Sequence, residues 1–301
     1  MFKLLSKESN IFSIPIYIIF LLGIVILFNV FNFNYLHWIS AVIMFFGVAL
    51  AYFVFDQIDL TYHTHLPLFL YTFFIFAFYP NHLDIGIAMS LLTNSFLLLL
   101  LTKPEGDFSK SSYVLVGSIL AVNYIFLPTT WPMLLFVLLH IVATSRQIAL
   151  NIFRLFLGWA MVFLSYLSLM FFIGYTTFDE AYLPIHIGKT FTDLTPLYSL
   201  VPILVMMIYA VIDHFNHFNE KSPISRFKYT FLLIFTVAQL ITIVLYMGNH
   251  YQYLLLMAFP ASIILSRMLR HFPKYWMQEL GLWVILICLI IFKTSYFSIS
   301  L

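Results

Sequence analysis

Long apolar stretches separated by short polar turns fill almost the whole chain, and they limit the folds it can adopt. Of the 301 residues, 63% are hydrophobic and 9% are charged, whereas a soluble domain has about 25% charged residues. A soluble core of this size cannot hide so much apolar surface, so lipid must be the solvent for most of the chain. Helices satisfy their own backbone polar groups in lipid, so we expect one all-α polytopic bundle, a single integral membrane domain over residues 1–301.

The lengths of the apolar stretches predict the number of membrane crossings. A helix needs about 20 apolar residues to cross a hydrocarbon layer of about 30 Å. We place eleven spans, at 11–33, 37–55, 62–79, 84–102, 112–127, 131–146, 155–177, 196–213, 228–247, 251–267 and 279–297. The fifth and sixth are short and meet at the prolines of "LPTTWP", so together they could instead form one re-entrant hairpin, which leaves nine full crossings.

The first apolar stretch is predicted to remain part of the protein. The residues before it, "MFKLLSKESN", are few and polar. The stretch is too long for the core of a signal peptide and is not followed by a small-residue cleavage site. We therefore expect it to be the first transmembrane helix.

The distribution of Lys and Arg predicts the orientation, because cytoplasmic loops are enriched in these residues. With the N-terminus inside, all but two of the 14 basic residues fall on the cytoplasmic face, and the exceptions are Lys189 and Lys293. A parsing that is wrong by one helix would scramble this asymmetry. We expect a multi-pass protein of the bacterial inner membrane with its N-terminus in the cytoplasm and its C-terminus outside.

The segment "DQIDLTYHTHLP" concentrates four polar side chains between the second and third predicted spans. These are Asp56, Asp59, His63 and His65. Asp59 and His63 have the i, i+4 spacing of zinc-binding helices, but a zinc site needs three or four ligands. We interpret the segment as a polar connection on the cytoplasmic face and predict no metal site.

Three extracytoplasmic turns, "PNHLD", "FDEAYLPIHIGKTFTDLTP" and "GNHYQ", carry carboxylates and imidazoles. If the turns converge, their side chains could act as general acids or bases or could hold a divalent ion. The candidate catalytic residues are Asp84, Asp179, Glu180 and His186. The supporting residues are His82, Asp193 and His250. The alternative is that these turns are polar only because they lie in water.

A few polar side chains lie within the predicted spans: Asn94, Asn123, His140 and Gln239. Polar side chains in lipid usually hydrogen-bond to neighbouring helices, whereas an ionisable one is a functional candidate by default. Asn94 and Asn123 could form an amide pair between two helices. His140 is the best functional candidate of the four, and helix packing is the alternative role for all of them.

Four segments resemble one protein family. They are "LLSKESNIFSIPIYIIFLL", "AMSLLTNSFLLLLLTKP", "YIFLPTTWPMLLFVLLHIVATS" and "HYQYLLLMAFPASIILSRML". Together they are similar to the DUF6427 family, uncharacterised multi-span inner-membrane proteins of Bacteroidota. The resemblance implies a membrane bundle and brings no activity, so it assigns no catalytic residue.

A comparison with polytopic glycosyltransferases that use polyprenyl-phosphate sugars argues against that enzyme class. Those enzymes carry an acidic residue in the first extracytoplasmic loop, whereas the corresponding loop here, at about 34–36, reads "NYL". Such an enzyme would have to use Asp84 or the 178–195 loop. The centre of the predicted membrane region has no Asp or Glu, which disfavours an ion-coupled transporter.

These observations leave three functional hypotheses. The leading one is a non-catalytic subunit or scaffold in cell-envelope biogenesis, because the loops are short and no catalytic motif is present. The alternatives are an enzyme that acts on a lipid-linked polyprenyl-phosphate substrate at the outer face, and a transporter of small molecules or lipids. The expected partners are the lipid bilayer, other envelope membrane proteins and a lipid-linked substrate. No cofactor is expected, and the net charge of +2 is too small to indicate nucleic acid binding.

Overall fold

The chain is described by a computed structural model, which is helical throughout the part it describes. That part comprises residues 1–7, 12–29, 35–58, 60, 64–80, 83–102, 112–175, 183–184, 194–218 and 222–300. Within these ranges there are thirteen α-helices and no β-strand. The prediction of an all-α protein is therefore confirmed for the described residues.

Eleven of these helices have 13 residues or more, and each falls on one of the predicted apolar stretches. They are α2 Ser13–Asn29, α3 Tyr35–Ile58, α4 His65–Phe78, α5 Ile85–Leu101, α6 Ser112–Phe126, α7 Pro132–Thr144, α8 Ile148–Ile173, α10 Val201–Asn216, α11 Pro223–Tyr246, α12 Leu255–His271 and α13 Tyr275–Ser300. The short helices α1, Phe2–Leu5, and α9, Thr195–Tyr198, precede α2 and α10.

Five of the helical stretches in the described chain are long and apolar enough to cross a membrane. They are Tyr35–Phe55, Ile148–Ile173, Ser225–Tyr246, Tyr251–His271 and Tyr275–Tyr296. The remaining apolar helices are shorter, with 10–17 residues each. Length and composition thus support a membrane protein, while the count of eleven crossings stays a prediction.

The helix boundaries differ from the prediction most clearly at α8. This helix begins at Ile148 rather than near residue 155, so Arg154 lies well inside its first two turns. The Arg154 guanidinium donates a hydrogen bond to Asn151 Oδ1, 3.1 Å away and three residues earlier on the same helix. The positive charge is therefore accommodated on the helix and does not end it. Gly174, with a φ of 102°, ends α8 in the left-handed conformation that glycine adopts most readily.

α12 is the central helix of the bundle. It packs against α4, α5, α10, α11 and α13. Within the apolar stretch Tyr251–His271, to which it belongs, 83% of an 18-residue segment is buried. Pro260 lies inside it and is itself buried. Neighbouring helices therefore cover most of its surface.

Glycine residues allow the closest helix contacts. A Cβ atom at Gly117 on α6 would collide with the carbonyl oxygen of Leu155 on α8, and one at Gly158 would collide with that of Val114. On α3, Gly47 lies against the backbone of Leu92 on α5. In lipid no hydrophobic force pulls helices together, so small residues that let backbones approach are the usual means of association. The α6–α8 and α3–α5 pairs are therefore built on glycine contacts.

We expect Gly158→Ala to destabilise the protein. The new methyl group would force α6 and α8 apart, and overpacking of this kind costs about 1–3 kcal/mol. The melting temperature of the purified protein in detergent measures the effect. Gly23→Ala on α2 is the matched control, because a Cβ atom there has no neighbour within 4 Å. Equal melting temperatures for the two variants would show that the α6–α8 contact does not depend on glycine.

Candidate functional site

The predicted outer turns meet at one end of the bundle. The backbone N–H of Asp84 donates to Gln252 Oε1 at 3.0 Å, which joins the turn before α5 to the turn before α12. The Tyr246 hydroxyl at the end of α11 donates to the Pro184 carbonyl at 2.9 Å. Pro184 belongs to the long turn between α8 and α10. Described residues of all three turns therefore take part in contacts at the same end.

Asp84 has a structural role at this end. Its Oδ1 accepts a hydrogen bond from Gly86 N at 3.0 Å and so caps the N-terminus of α5. His250 is exposed in the turn between α11 and α12, where its backbone N–H donates to the Met247 carbonyl at 2.7 Å. The other candidates and supporting residues lie outside the described residues. These are His82, Asp179, Glu180, His186 and Asp193.

The cytoplasmic candidate segment "DQIDLTYHTHLP" is described only in part. His65 begins α4, and its Nε2 lies 3.5 Å from Ser13 Oγ on α2. Asp59, His63 and the side chain of Asp56 lie outside the described residues. Among the side chains that are described, no group of three or more His, Cys, Asp or Glu residues could hold a metal ion.

The intramembrane amides do not form the predicted pair. Asn123 Oδ1 accepts a hydrogen bond from the Ser90 hydroxyl at 2.7 Å, so the partner of Asn123 on α5 is Ser90 rather than Asn94. Asn94 Oδ1 is buried and has no hydrogen-bond partner among the described residues. Ser90 and Asn94 lie four residues apart on one face of α5, about 6 Å apart along the axis, and the serine lies at the level of Asn123.

His140 and Gln239 both lie at the contact between α7 and α11, but at different depths. Gln239 Nε2 donates to Met133 Sδ at 3.0 Å, whereas the His140 ring packs edge-on to Phe231 at 5.1 Å. Phe231 and Gln239 are eight residues apart on α11, which corresponds to about 12 Å along the helix. His140 Nδ1 and Gln239 Oε1 have no hydrogen-bond partner within the described chain. The two side chains therefore do not line a common site.

A buried lysine that the sequence analysis assigned simply to the outer face is part of an aromatic cluster. Lys293 on α13 is only 5% exposed. Its ammonium group donates to the Tyr79 carbonyl at the end of α4 and lies 4.2 Å from the centre of the Phe28 ring. The electron-rich ring face and the negative end of the α4 dipole both favour a cation there. An isolated lysine in an apolar stretch is the sequence signal for such a site.

A second cluster joins the ends of α10, α11 and α12. The Arg267 guanidinium on α12 lies 5.0 Å from the Tyr229 ring on α11 and donates to Ser225 Oγ at 3.2 Å. The centre of the His214 ring, on α10, lies 4.2 Å from the centre of the Tyr229 ring. Asp213 pairs with His217 at 3.1 Å on the exposed side. The cluster fastens three helices together, and the sequence analysis did not predict it.

A groove lies between α2 and α4 and is polar at one end. It has a volume of about 430 Å³, which is within the range of pockets for small ligands. Its walls are mostly aliphatic and aromatic, and one end is polar. The lining residues are Ser13, Ile16, Tyr17, Phe20, Ile24, His65, Phe69, Thr72, Phe73 and Phe76. The two helices are separated in the sequence by α3, so the groove could not be predicted from the sequence alone.

The fold defines an α-helical protein whose long apolar helices support its assignment as a membrane protein. The chain belongs to DUF6427, a family of unknown function, which matches it over residues 1–300. The resemblance seen in the four sequence segments is thereby confirmed. No curated protein and no solved structure matches the chain.

We expect Arg267→Met to loosen the cluster at the ends of α10, α11 and α12. The change removes the cation–π contact with Tyr229, and a desolvated contact of this type contributes about 2 kcal/mol. Thermal unfolding in detergent should therefore begin at a lower temperature than for the wild type. Lys274→Met is the control, because Lys274 is exposed and its loss removes the same charge close by. If both variants unfold together, the cluster does not stabilise the bundle.

Proposed function

We propose that this protein is a multi-pass protein of the bacterial inner membrane and a non-catalytic subunit or scaffold in cell-envelope biogenesis. In this proposal the eleven long helices all cross the membrane, with the N-terminus in the cytoplasm and the C-terminus outside. Membership of a family of unknown function neither adds an activity nor opposes this role. The partners are the surrounding lipids and at least one other membrane protein.

The contacts between helix ends support the alternating topology. At the proposed outer end, Trp131 Nε1 before α7 donates to the Tyr246 hydroxyl at the end of α11, 2.9 Å away. At the opposite end, the Tyr113 hydroxyl near the start of α6 lies 3.0 Å from Ser145 Oγ after α7. If successive helices cross the membrane in alternating directions, the two helix ends joined by each contact lie on the same side of the membrane. Arg267 and Ser225 belong to the second end, where the basic residues were predicted to collect.

The exposure of α8 is the observation that carries the scaffold role. This 26-residue helix packs mainly against α6, and only 6% of an 18-residue apolar segment within it is buried. Large apolar side chains cover the rest of its surface: Phe153, Phe156, Met161, Leu164, Phe171 and Phe172. A helix with apolar residues on every side needs lipid or a further protein helix against it. We propose that a partner protein packs against α8.

The topology is tested by reporter fusions. Alkaline phosphatase, which is active only outside the cytoplasm, should be inactive when fused within 103–110 and active when fused within 178–195. A fluorescent protein that folds only in the cytoplasm should give the reverse pattern. The expectation follows from the enrichment of basic residues in cytoplasmic loops. Phosphatase activity at 103–110, or fluorescence at 178–195, would contradict the proposed orientation.

The scaffold role is tested by purification from a gentle detergent. The tagged full-length protein should bring down a membrane partner in a fixed ratio, and Leu164→Trp on α8 should abolish this, because the larger ring disrupts the packing of a partner helix. Ile287→Trp on α13 is the control, since Ile287 is about as exposed but lies on another helix.

Two outcomes of this purification oppose the proposal. One is a monodisperse monomer without partners. The other is a partner that stays bound to the Leu164→Trp variant as firmly as to the wild type.

A further inference from the structure

The groove between α2 and α4 opens sideways from the bundle. Ile16 and Phe20, on its α2 wall, are 50% and 63% exposed. Phe69, Phe73 and Phe76 form the opposite wall on α4. In a membrane these exposed side chains face lipid, so a molecule can enter the groove from the bilayer without passing through water.

The groove is polar at one end only. Ser13, which is buried, lies beside His65, and the Tyr17 hydroxyl donates to the His65 carbonyl at 3.4 Å. Its other lining residues, apart from Thr72, are apolar. The cavity thus offers a hydrocarbon chain a long apolar path and offers hydrogen-bonding groups only where the path begins.

Positive charge lies next to the polar end. The N-terminal segment packs against the start of α4, where the His65 N–H donates to the Lys7 carbonyl at 3.3 Å. The side chains of Lys3 and Lys7 are both exposed. Glu279, a carboxylate among the described residues of this region, is held by the Met1 ammonium and the Phe2 N–H at 2.9 and 2.8 Å. The exposed lysines therefore favour an anionic group close to Ser13 and His65.

The length of the groove matches one leaflet. From Ser13 to Ile24, and equally from His65 to Phe76, the helices advance eleven residues, or about 16 Å. One half of the hydrocarbon layer is about 15 Å thick. A single chain of a bilayer lipid can therefore lie along the groove with its headgroup at the polar end.

We propose that the α2–α4 groove binds an anionic phospholipid. One acyl chain lies between Phe20 and Phe73, and the phosphate lies at Ser13 and His65, within reach of Lys3 and Lys7. The assignment of this lipid to the cytoplasmic leaflet rests on the proposed topology. The binding site itself does not, because the groove, its polar end and the lysines are features of the fold.

The site is tested by titrating the purified full-length protein with phosphatidylglycerol or with phosphatidylcholine of the same chains, followed by native mass spectrometry. Phosphatidylglycerol should bind about tenfold more tightly, because two lysines attract its net charge. Lys3→Gln with Lys7→Gln should remove this preference, whereas Lys274→Gln should keep it. Equal binding of the two lipids by the wild type would overturn the headgroup assignment.

The groove itself is tested by filling it. Ile16→Trp should lower the affinity for phosphatidylglycerol by about tenfold or more, since the indole ring occupies the path of the chain. Ile19→Trp is the control, because Ile19 is exposed on α2 and does not line the groove. Phe20→Trp provides a second filled variant if the first does not fold. Unchanged affinity in a folded filled variant would refute the site, whatever the reporter fusions show about topology.

Discussion

Helices in a hydrocarbon solvent gain nothing by hiding apolar side chains from it, and this constraint explains how the bundle is held together. Association must come from close packing and from polar groups that find partners on other helices. The α6–α8 pair achieves the first with Gly117 and Gly158, whose carbonyl neighbours leave no room for a Cβ atom. The bond between Ser90 and Asn123 achieves the second for α5 and α6. Composition therefore decides the fold class, while a few small and polar residues decide which helices touch.

Polar contacts also link helices at both ends of the bundle. Trp131, Tyr246 and Pro184 are linked at one end, and Arg267, Tyr229 and His214 at the other. Groups at the ends can be hydrated while the chain is still assembling, so pairing them costs less than pairing groups at mid-depth. The buried residues of α12 are apolar apart from Ser262, Ser266 and Arg267.

The positions of the long helices could be predicted from the sequence, because an apolar stretch and its polar turns are local features. The pairing of Asn123 with Ser90 instead of Asn94 could not, because the choice between two residues one turn apart on the same face depends on how α5 and α6 are offset along their axes. The surroundings of Lys293 were missed for a related reason. Phe28, Tyr79 and Lys293 lie on three helices that are distant in sequence. The α2–α4 groove likewise forms between two helices that are separated in the sequence by α3, so no single segment predicts it.

The contact between the N-terminal segment and α13 has a consequence for assembly. The Phe2 N–H and Glu279 are separated by 277 residues along the chain, yet they are hydrogen-bonded in the finished fold. Helices enter a membrane in the order of their synthesis, so the N-terminal segment can make this contact only after α13 has been synthesised. Until then α4 lacks one of its neighbours, since α13 packs against it. A chain that lacked α13 would therefore leave this side of α4 uncovered.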